Sequence, residues 1–153
     1  MKLLALLNSG GSAVRIVVAT LAGTVAYFLF GWLVFEWILG DYMAGHTTQI
    51  QGFKKSDAEA SMLMLVVSCA AYALLLAIEF ERWAHVRTMK AGITLGAIIG
   101  TLVALMTNAY WYSTSHFFND LVPLVVDIAA AVVTVGMMGR VIGWTLGNFK
   151  TRT

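Results

Sequence analysis

Four long apolar stretches alternate with short polar segments along the chain, and this pattern predicts four helices. The stretches cover about residues 14–39, 60–79, 91–115 and 121–147. Each exceeds the roughly 18 residues at which a membrane-spanning helix becomes the usual interpretation, and none alternates as a strand does. An open sheet would also leave backbone groups unsatisfied in lipid. The pattern therefore predicts an all-α membrane protein, one domain of residues 1–153 built as a four-transmembrane-helix bundle.

The composition agrees with a protein that lies in the lipid bilayer. Of the 153 residues, 59% are hydrophobic and 12% are charged, about half the charged fraction of a soluble domain. The formal net charge of +2 does not indicate a nucleic-acid partner, because the basic residues flank the predicted spans. The single cysteine, Cys69, leaves no pair of thiols for a disulfide, a dithiol redox site or an iron–sulfur cluster.

The distribution of basic residues predicts how the bundle is oriented. In a chain with four spans, the N-terminus, the second loop and the C-terminus share one side. Eight basic residues fall on that side: Lys2, Arg15, Arg82, Arg87, Lys90, Arg140, Lys150 and Arg152. Only Lys54 and Lys55 fall on the other side. The positive-inside rule therefore predicts that both termini are cytoplasmic.

Small residues in the third and fourth spans predict close helix packing. The third span carries Gly92, Gly96 and Gly100, beside a mainly small and hydroxylated stripe of Thr94, Ala97, Thr101, Ala104, Asn108, Trp111 and Ser115. The fourth span carries a second glycine ladder, Gly139, Gly143 and Gly147. Lipid favours neither glycine nor hydroxyl groups, so both features are expected to face other helices. We expect the two ladders and Thr101 to form the main packing surface.

Charged residues inside the spans are the candidates for chemistry, because each costs about 2.5–3.5 kcal/mol to insert. Asp127 lies early in the fourth span, without a basic residue nearby in sequence. It is either a proton, cation or ligand site, or a structural residue that hydrogen-bonds Asn108, Tyr110 or Tyr112. Glu36 lies at the outer end of the first span. The candidate polar or ligand site is Asp127, Asn108, Tyr110, Tyr112, Glu36 and His116.

Other polar residues have simpler interpretations. Ser9 or Ser12 is expected to cap the first helix, residues 56–59 to form a capping box before the second, and Asn119 or Asp120 to cap the fourth. Glu79 and Arg140 either form an ion pair or extend separately to the interface. The acids and histidines of the outer loops lack the spacing of metal ligands on one helix, so we expect neither a metal nor a cofactor.

The sequence contains no nucleophile elbow, phosphate loop, HExxH motif or kinase pattern. A non-enzymatic protein is therefore expected.

Three segments resemble a family of small bacterial four-helix membrane proteins with no assigned activity. They are FGWLVFEWILGDYMAGH in the first span and loop, GITLGAIIGTLVAL in the third span, and D-x8-GMMGRVIGWTLG from Asp127 onward. The resemblance covers most of residues 20–147 and rests on glycine and aromatic packing patterns. It implies a multi-pass protein of the bacterial cytoplasmic (inner) membrane and transfers no functional site.

Two functions are compatible with these features. The first is an accessory or scaffold subunit that associates with a membrane-protein partner or with itself. Glycine packing, short loops and the missing catalytic set favour it. The alternative is a small transporter or ligand-binding bundle with an outward-facing polar site around Asp127. A polar cavity that reaches Asp127 would favour the alternative, and a dry interior would favour the scaffold.

Overall fold

The computed structural model describes residues 10–52, 55 and 59–149, and these residues are predominantly helical. The helices are α1 (Gly10–Trp32), α2 (Gly40–His46), α3 (Met62–Arg82), α4 (Met89–Thr114) and α5 (Leu121–Asn148), and a π-helical segment, Leu33–Ile38, extends α1. Within the described residues, the only strand-like pairing is an isolated antiparallel bridge between Thr47 and Phe118. The prediction of an all-helical fold is confirmed.

Four of these helices are long and apolar enough to cross a membrane. They contain 21 to 28 residues each, and their most apolar windows have mean hydropathies between 1.8 and 2.3. At 1.5 Å rise per residue, even the shortest matches a hydrocarbon core of roughly 30 Å. The bundle thus has the dimensions of a four-span membrane protein. We call the end with residues 39–61 and 115–120 the long-loop end, and the end with residues 83–88 the short-loop end.

The helices lie side by side in the order α3, α1, α5, α4. The most extensive contact joins α4 and α5, α1 packs against both α3 and α5, and α3 touches α5 only slightly. Helix α5 therefore lies at the centre, whereas α4 lies at the edge and is held mainly by α5. The apolar core fills the short-loop half, where Ile16 and Ala19 of α1 meet Leu76 and Phe80 of α3 and the α5 residues Met138, Ile142 and Leu146.

A row of small residues spaced four apart forms the α4 side of the α4–α5 contact. The buried residues of α4 are Gly92, Gly96, Gly100, Ala104 and Asn108. A Cβ atom on Gly96 would lie 2.6 Å from the carbonyl oxygen of Val135, and one on Gly92 would collide with the carbonyl oxygen of Gly139. The backbones of the two helices therefore touch, which only glycine permits at these positions.

The second glycine ladder has two kinds of neighbour. Gly139 lies against Gly92 and Gly96 of α4. A Cβ atom on Gly143 would lie 2.6 Å from the carbonyl oxygen of Thr88, and one on Gly147 would collide with that of Arg87. The ladder thus extends past α4 and packs against the loop that precedes it.

Only part of the mainly hydroxylated stripe of α4 lies on the packing surface, which corrects the expectation that the whole stripe faces other helices. Ala104 and Asn108 are buried in the row, whereas the threonines are not. Thr94 is exposed and Thr101 is half-buried. Their hydroxyl groups donate to the carbonyl oxygens of Lys90, at 3.1 Å, and Ala97, at 2.7 Å, in their own helix. Because each hydroxyl finds its acceptor one turn back, threonine needs no neighbouring helix, and the closer approach occurs along the glycine row.

The structure tests the caps predicted for three helices. Helix α3 begins after Ser61, whose side-chain oxygen accepts the Met64 N–H at 3.4 Å. The helix therefore starts later than the capping box at residues 56–59 predicts, and Glu59 lies in a turn before it. Residues 56–58 of the predicted box lie outside the described residues. Asp120 caps α5 as predicted and accepts the Val122 N–H at 2.7 Å. Ser12 lies inside α1 rather than capping it, and Ser9 lies outside the described residues.

The ion pairs at the short-loop end involve Glu81 rather than Glu79. Glu81 Oε1 accepts a hydrogen bond from Ser12 at 3.0 Å and lies 3.9 Å from Arg15 Nη1. Glu81 Oε2 lies 2.8 Å from Arg87 Nη2, at ion-pair distance although without hydrogen-bond alignment. Among the described residues there is no Glu79–Arg140 pair, and Arg140 is exposed, so that alternative is wrong.

Candidate functional site

Asp127 is paired with Asn108 across the α4–α5 contact. Asp127 is half-buried in the second turn of α5, and its Oδ2 accepts a hydrogen bond of 2.5 Å from Nδ2 of Asn108. Asn108 is only 5% exposed. Within the part of the chain that the structure describes, no other residue hydrogen-bonds this carboxylate. A single amide donor therefore offsets part of the cost of an acid within a span.

The small-residue row of α4 brings this pair together. Asn108 is the last member of the row that begins at Gly92, and Gly100 and Ala104 precede it. A Cβ atom on Gly100 would lie 2.9 Å from the carbonyl oxygen of Ala131, one turn after Asp127. Because the backbones approach so closely there, the next residue of the row reaches the α5 carboxylate. The packing surface thus positions the polar pair.

A cleft of about 180 Å³ opens beside the pair and reaches into the bundle. Helices α4 and α5 form one side, from Asn108 and Asp127 to Gly100 and Val135. Helices α1 and α3 contribute aromatic side chains to the other side: Tyr27, Phe35 and Tyr72. The rings of Tyr27 and Tyr72 meet edge to face, with centroids 5.4 Å apart. Three helices besides α5 therefore contribute to the surroundings of Asp127.

One polar group on the wall of the cleft has an unmet hydrogen-bonding capacity. The hydroxyl oxygen of Tyr72 is buried and has no hydrogen-bond partner among the described residues. A buried hydroxyl without a partner costs about 1–3 kcal/mol and calls for an occupant such as water or an ion. The hydroxyl of Thr134, by contrast, donates to the Ala130 carbonyl at 3.0 Å. The cleft thus combines a partly paired acid with an unpaired hydroxyl.

The other predicted site residues are not gathered around Asp127. Tyr110 and Tyr112 are 63% and 44% exposed, and Tyr110 lies edge to face with Trp111. His116 is exposed and shares a surface hollow of about 410 Å³ with Tyr112 and the turn before α5. Among the described residues, no group of three or more His, Cys, Asp or Glu side chains could hold a metal ion. The structure therefore divides the predicted set and pairs only Asn108 with Asp127.

Glu36 lies in a second cavity, at the long-loop end. The π-helical segment exposes Glu36 at the edge of a pocket of about 490 Å³. Helix α2 and the following loop form most of the wall, and Phe117 contributes from the turn before α5. The two segments are joined by the backbone, since Thr48 N–H donates to the Phe117 carbonyl at 2.9 Å and Asn119 N–H to that of His46 at 3.1 Å.

Sequence reasoning missed the aromatic wall of the Asp127 cleft and the acid at the short-loop end. Tyr27 and Tyr72 stand within apolar runs, where a tyrosine is usually a packing residue. Their spacing gives no sign that they meet. Glu81 lies in a run of charges at a helix end, and its burial at 6% exposure is visible only in three dimensions.

Comparisons of this chain with protein-family models, with curated proteins and with solved structures found no match. The geometry of the two cavities is therefore the basis for the functional proposal.

Proposed function

We propose that the chain is a non-enzymatic, multi-pass membrane protein that binds one small positive charge, a proton or a monovalent metal ion, at Asp127. The observation that carries this proposal is the cleft itself. A carboxylate with a single hydrogen-bond donor and a tyrosine with a buried, unpartnered hydroxyl both line this one cavity. An ionisable residue inside a span is by default a candidate for ion or proton handling.

The charge of the site favours a singly charged occupant. Among the described residues that line the cleft, one carries a carboxylate, and the other polar side chains, those of Tyr27, Tyr72, Thr107, Asn108 and Thr134, are neutral. One positive charge therefore balances the site, whereas a divalent ion would leave an excess charge within the bilayer. Oxygen atoms of carboxylate, amide and hydroxyl groups are the ligands that hard cations prefer.

The size of the cleft favours a small occupant. Its volume of about 180 Å³ is enough for a few water molecules, since one water needs only about 10–15 Å³ of cavity volume. Pockets for drug-sized ligands usually measure about 300–1,000 Å³. The cleft can therefore hold a proton with a few waters, or a partly hydrated monovalent ion.

The proposed location is the bacterial inner membrane, with both termini in the cytoplasm. The excess of basic residues in the sequence on the side of the second loop and the termini supports this orientation through the positive-inside rule, and the family resemblance of the spans supports the bacterial membrane. In this orientation the long-loop end faces outward. The Asp127 cleft would then open in the outer half of the bilayer.

Replacing Asp127 by asparagine tests the proposal. Asp127→Asn keeps an oxygen that accepts from Asn108 and removes only the charge, so the variant is expected to fold. A ligand that binds only the folded state stabilises it by about 2.7 kcal/mol at 100 times its Kd. We expect the melting temperature of the wild type in detergent, followed by tryptophan fluorescence, to rise with NaCl relative to N-methyl-D-glucamine chloride, whose cation is bulky and polar, or to depend on pH. The variant should lose that response.

Asp41→Asn is the matched control, because Asp41 is an exposed acid at the same end and lies outside the cleft. It should respond to salt and pH as the wild type does. An NaCl effect identifies a metal ion, and a pH effect without an NaCl effect identifies the proton. If Asp127→Asn retained the full response to both, the residue would be structural and the proposal would be wrong.

A second candidate function, an accessory or scaffold subunit, is supported by the free end of α3. Residues 62–67 are all between 40% and 68% exposed, and six consecutive residues cover every face of a helix. This part of α3 therefore makes little contact with its own chain, and lipid or another membrane protein must surround it. Native mass spectrometry that found only a monomer without a bound protein would contradict this second function.

A further inference from the structure

The pocket at the long-loop end is separate from the Asp127 cleft and differs from it in chemistry. Its volume is about 490 Å³, within the usual range of about 300–1,000 Å³ for small-molecule sites. Large apolar side chains form much of its wall: Phe35, Met43, Ile50 and Phe117. The pocket can therefore enclose an organic molecule of moderate size.

Among the described residues that line this pocket, Glu36 is the only one with an acidic side chain. Within the described part of the chain, the ion pairs all involve Glu81, so no described basic residue balances the charge of Glu36. A carboxylate next to an apolar cavity attracts a cation more strongly than the same group in water, because the local dielectric constant is lower.

The other polar side chains around the pocket are already occupied by internal hydrogen bonds. The Thr47 hydroxyl donates to the Met43 carbonyl at 2.8 Å, and the Thr48 hydroxyl donates to that of His116. The Gln49 amide donates to the carbonyl oxygens of Ala44, at 3.0 Å, and Thr47, at 3.2 Å. A bound molecule therefore meets one negative charge and a mainly apolar, aromatic surface.

We propose that this pocket binds a small organic cation, an ammonium ion with an apolar body. Glu36 would balance the charge, and Phe35 and Phe117, which line the pocket, are of the residue class with which an organic cation gains cation–π attraction. An inorganic ion would instead need several oxygen ligands, which the aromatic walls do not supply. The class of ligand thus follows from one acid and an apolar cavity.

Phe35 lies between the pocket at the long-loop end and the Asp127 cleft. It lines both the long-loop pocket and the Asp127 cleft, so a single aromatic ring lies between the two cavities. The π-helical segment places Glu36 on the pocket next to this ring. Such segments are rare and are frequently found at functional sites. The carboxylates of Glu36 and Asp127 therefore line two adjacent but separate cavities.

Calorimetric titration of the purified full-length protein with benzyltrimethylammonium chloride, in a non-ionic detergent, tests this proposal. We expect saturable binding to the wild type, and at least about tenfold weaker binding, or about 1.4 kcal/mol, to Glu36→Gln. Tetramethylammonium, which lacks the apolar body, should bind more weakly than benzyltrimethylammonium. Because Glu36 is exposed, Glu36→Gln should keep the wild-type melting temperature.

Two further variants show whether a loss of binding is specific to Glu36. Asp41→Asn removes the same charge at the same end but does not line the pocket, so it should bind as the wild type does. Asp127→Asn should also bind normally, which separates this proposal from the ion site in the cleft. No binding to the wild type, an undiminished affinity of Glu36→Gln, or an equal loss in Glu36→Gln and Asp41→Asn would each overturn the proposal.

Discussion

Replacing Gly92 by alanine is expected to disrupt the α4–α5 contact. The new Cβ would collide with the carbonyl oxygen of Gly139 and lie 2.9 Å from its carbonyl carbon. Backbone atoms cannot rotate away as a side chain can, so the helices must separate along the whole glycine row. Overpacking usually costs about 1–3 kcal/mol, and we expect about 3 kcal/mol or more here because the obstacle is backbone. Unfolding in mixed micelles with increasing dodecyl sulfate measures this loss.

Gly136→Ala is the matched control in the same contact. A Cβ atom at this position would lie 3.6 Å from the Cβ of Ala97, which is an ordinary van der Waals distance. Alanine is also the better helix former by about 1 kcal/mol. The control should therefore be neutral or slightly stabilising. Equal stability of Gly92→Ala and Gly136→Ala would mean that the helices are not in backbone contact.

Replacing Glu81 by glutamine is expected to destabilise the short-loop end. The Glu81 side chain is 4% exposed, and it lies between Arg15 and Arg87, whose side chains are 30% and 34% exposed. Removing one partner of a fully buried pair costs about 3–5 kcal/mol. Because water partly solvates both arginines, the cost should be smaller, at about 2 kcal/mol. The same micelle unfolding experiment measures it.

Glu79→Gln is the control, because Glu79 is half-buried on the same helix and has no ion pair within the described residues. It should change stability by much less. Adding Arg87→Gln to Glu81→Gln should recover part of the loss, since one fewer charge is then left without a partner. A loss in Glu81→Gln no larger than in Glu79→Gln would show that the cluster contributes nothing to stability.

The four spans could be predicted from the sequence because lipid imposes a strong constraint. A chain that crosses a bilayer must satisfy its backbone internally, so long apolar runs become helices. The Asp120 cap also followed from residue type and position. The detail of the packing surface did not. The two glycine ladders were predicted as packing surfaces, and the structure confirms that they pack closely. The sequence did not show that Gly100 rather than Thr101 makes the closer contact, because that depends on how closely α5 can approach.

The identity of the buried acid illustrates a second limit of the sequence. Glu79 and Glu81 are two positions apart, and at 3.6 residues per turn their side chains point about 200° apart around the helix. Near a helix end, the side chain of either Glu79 or Glu81 can reach the membrane–water interface. Only the placement of Arg15 on α1 and Arg87 in the following loop selects Glu81.

The candidate site was predictable in part. Asp127 and Asn108 are polar residues within apolar runs, so their cost in lipid marks them directly. Tyr27, Phe35 and Tyr72 carry no such cost, and three separate helical segments bring them to the cleft. The sequence could therefore identify the acid and one of its partners, but not the cavity. The role of Glu36 also required the fold, because its pocket depends on the π-helical segment and α2.

Labelling by dicyclohexylcarbodiimide, an apolar reagent that modifies protonated carboxyl groups, tests the central claim most directly. The protein would be treated in liposomes and the modified residue identified by peptide mass spectrometry. If Asp127 holds one exchangeable positive charge, it should be labelled, and labelling should slow as pH rises or, for a metal-ion site, as NaCl replaces N-methyl-D-glucamine chloride. No labelling of Asp127 at any pH, or labelling that neither pH nor cations change, would contradict the account.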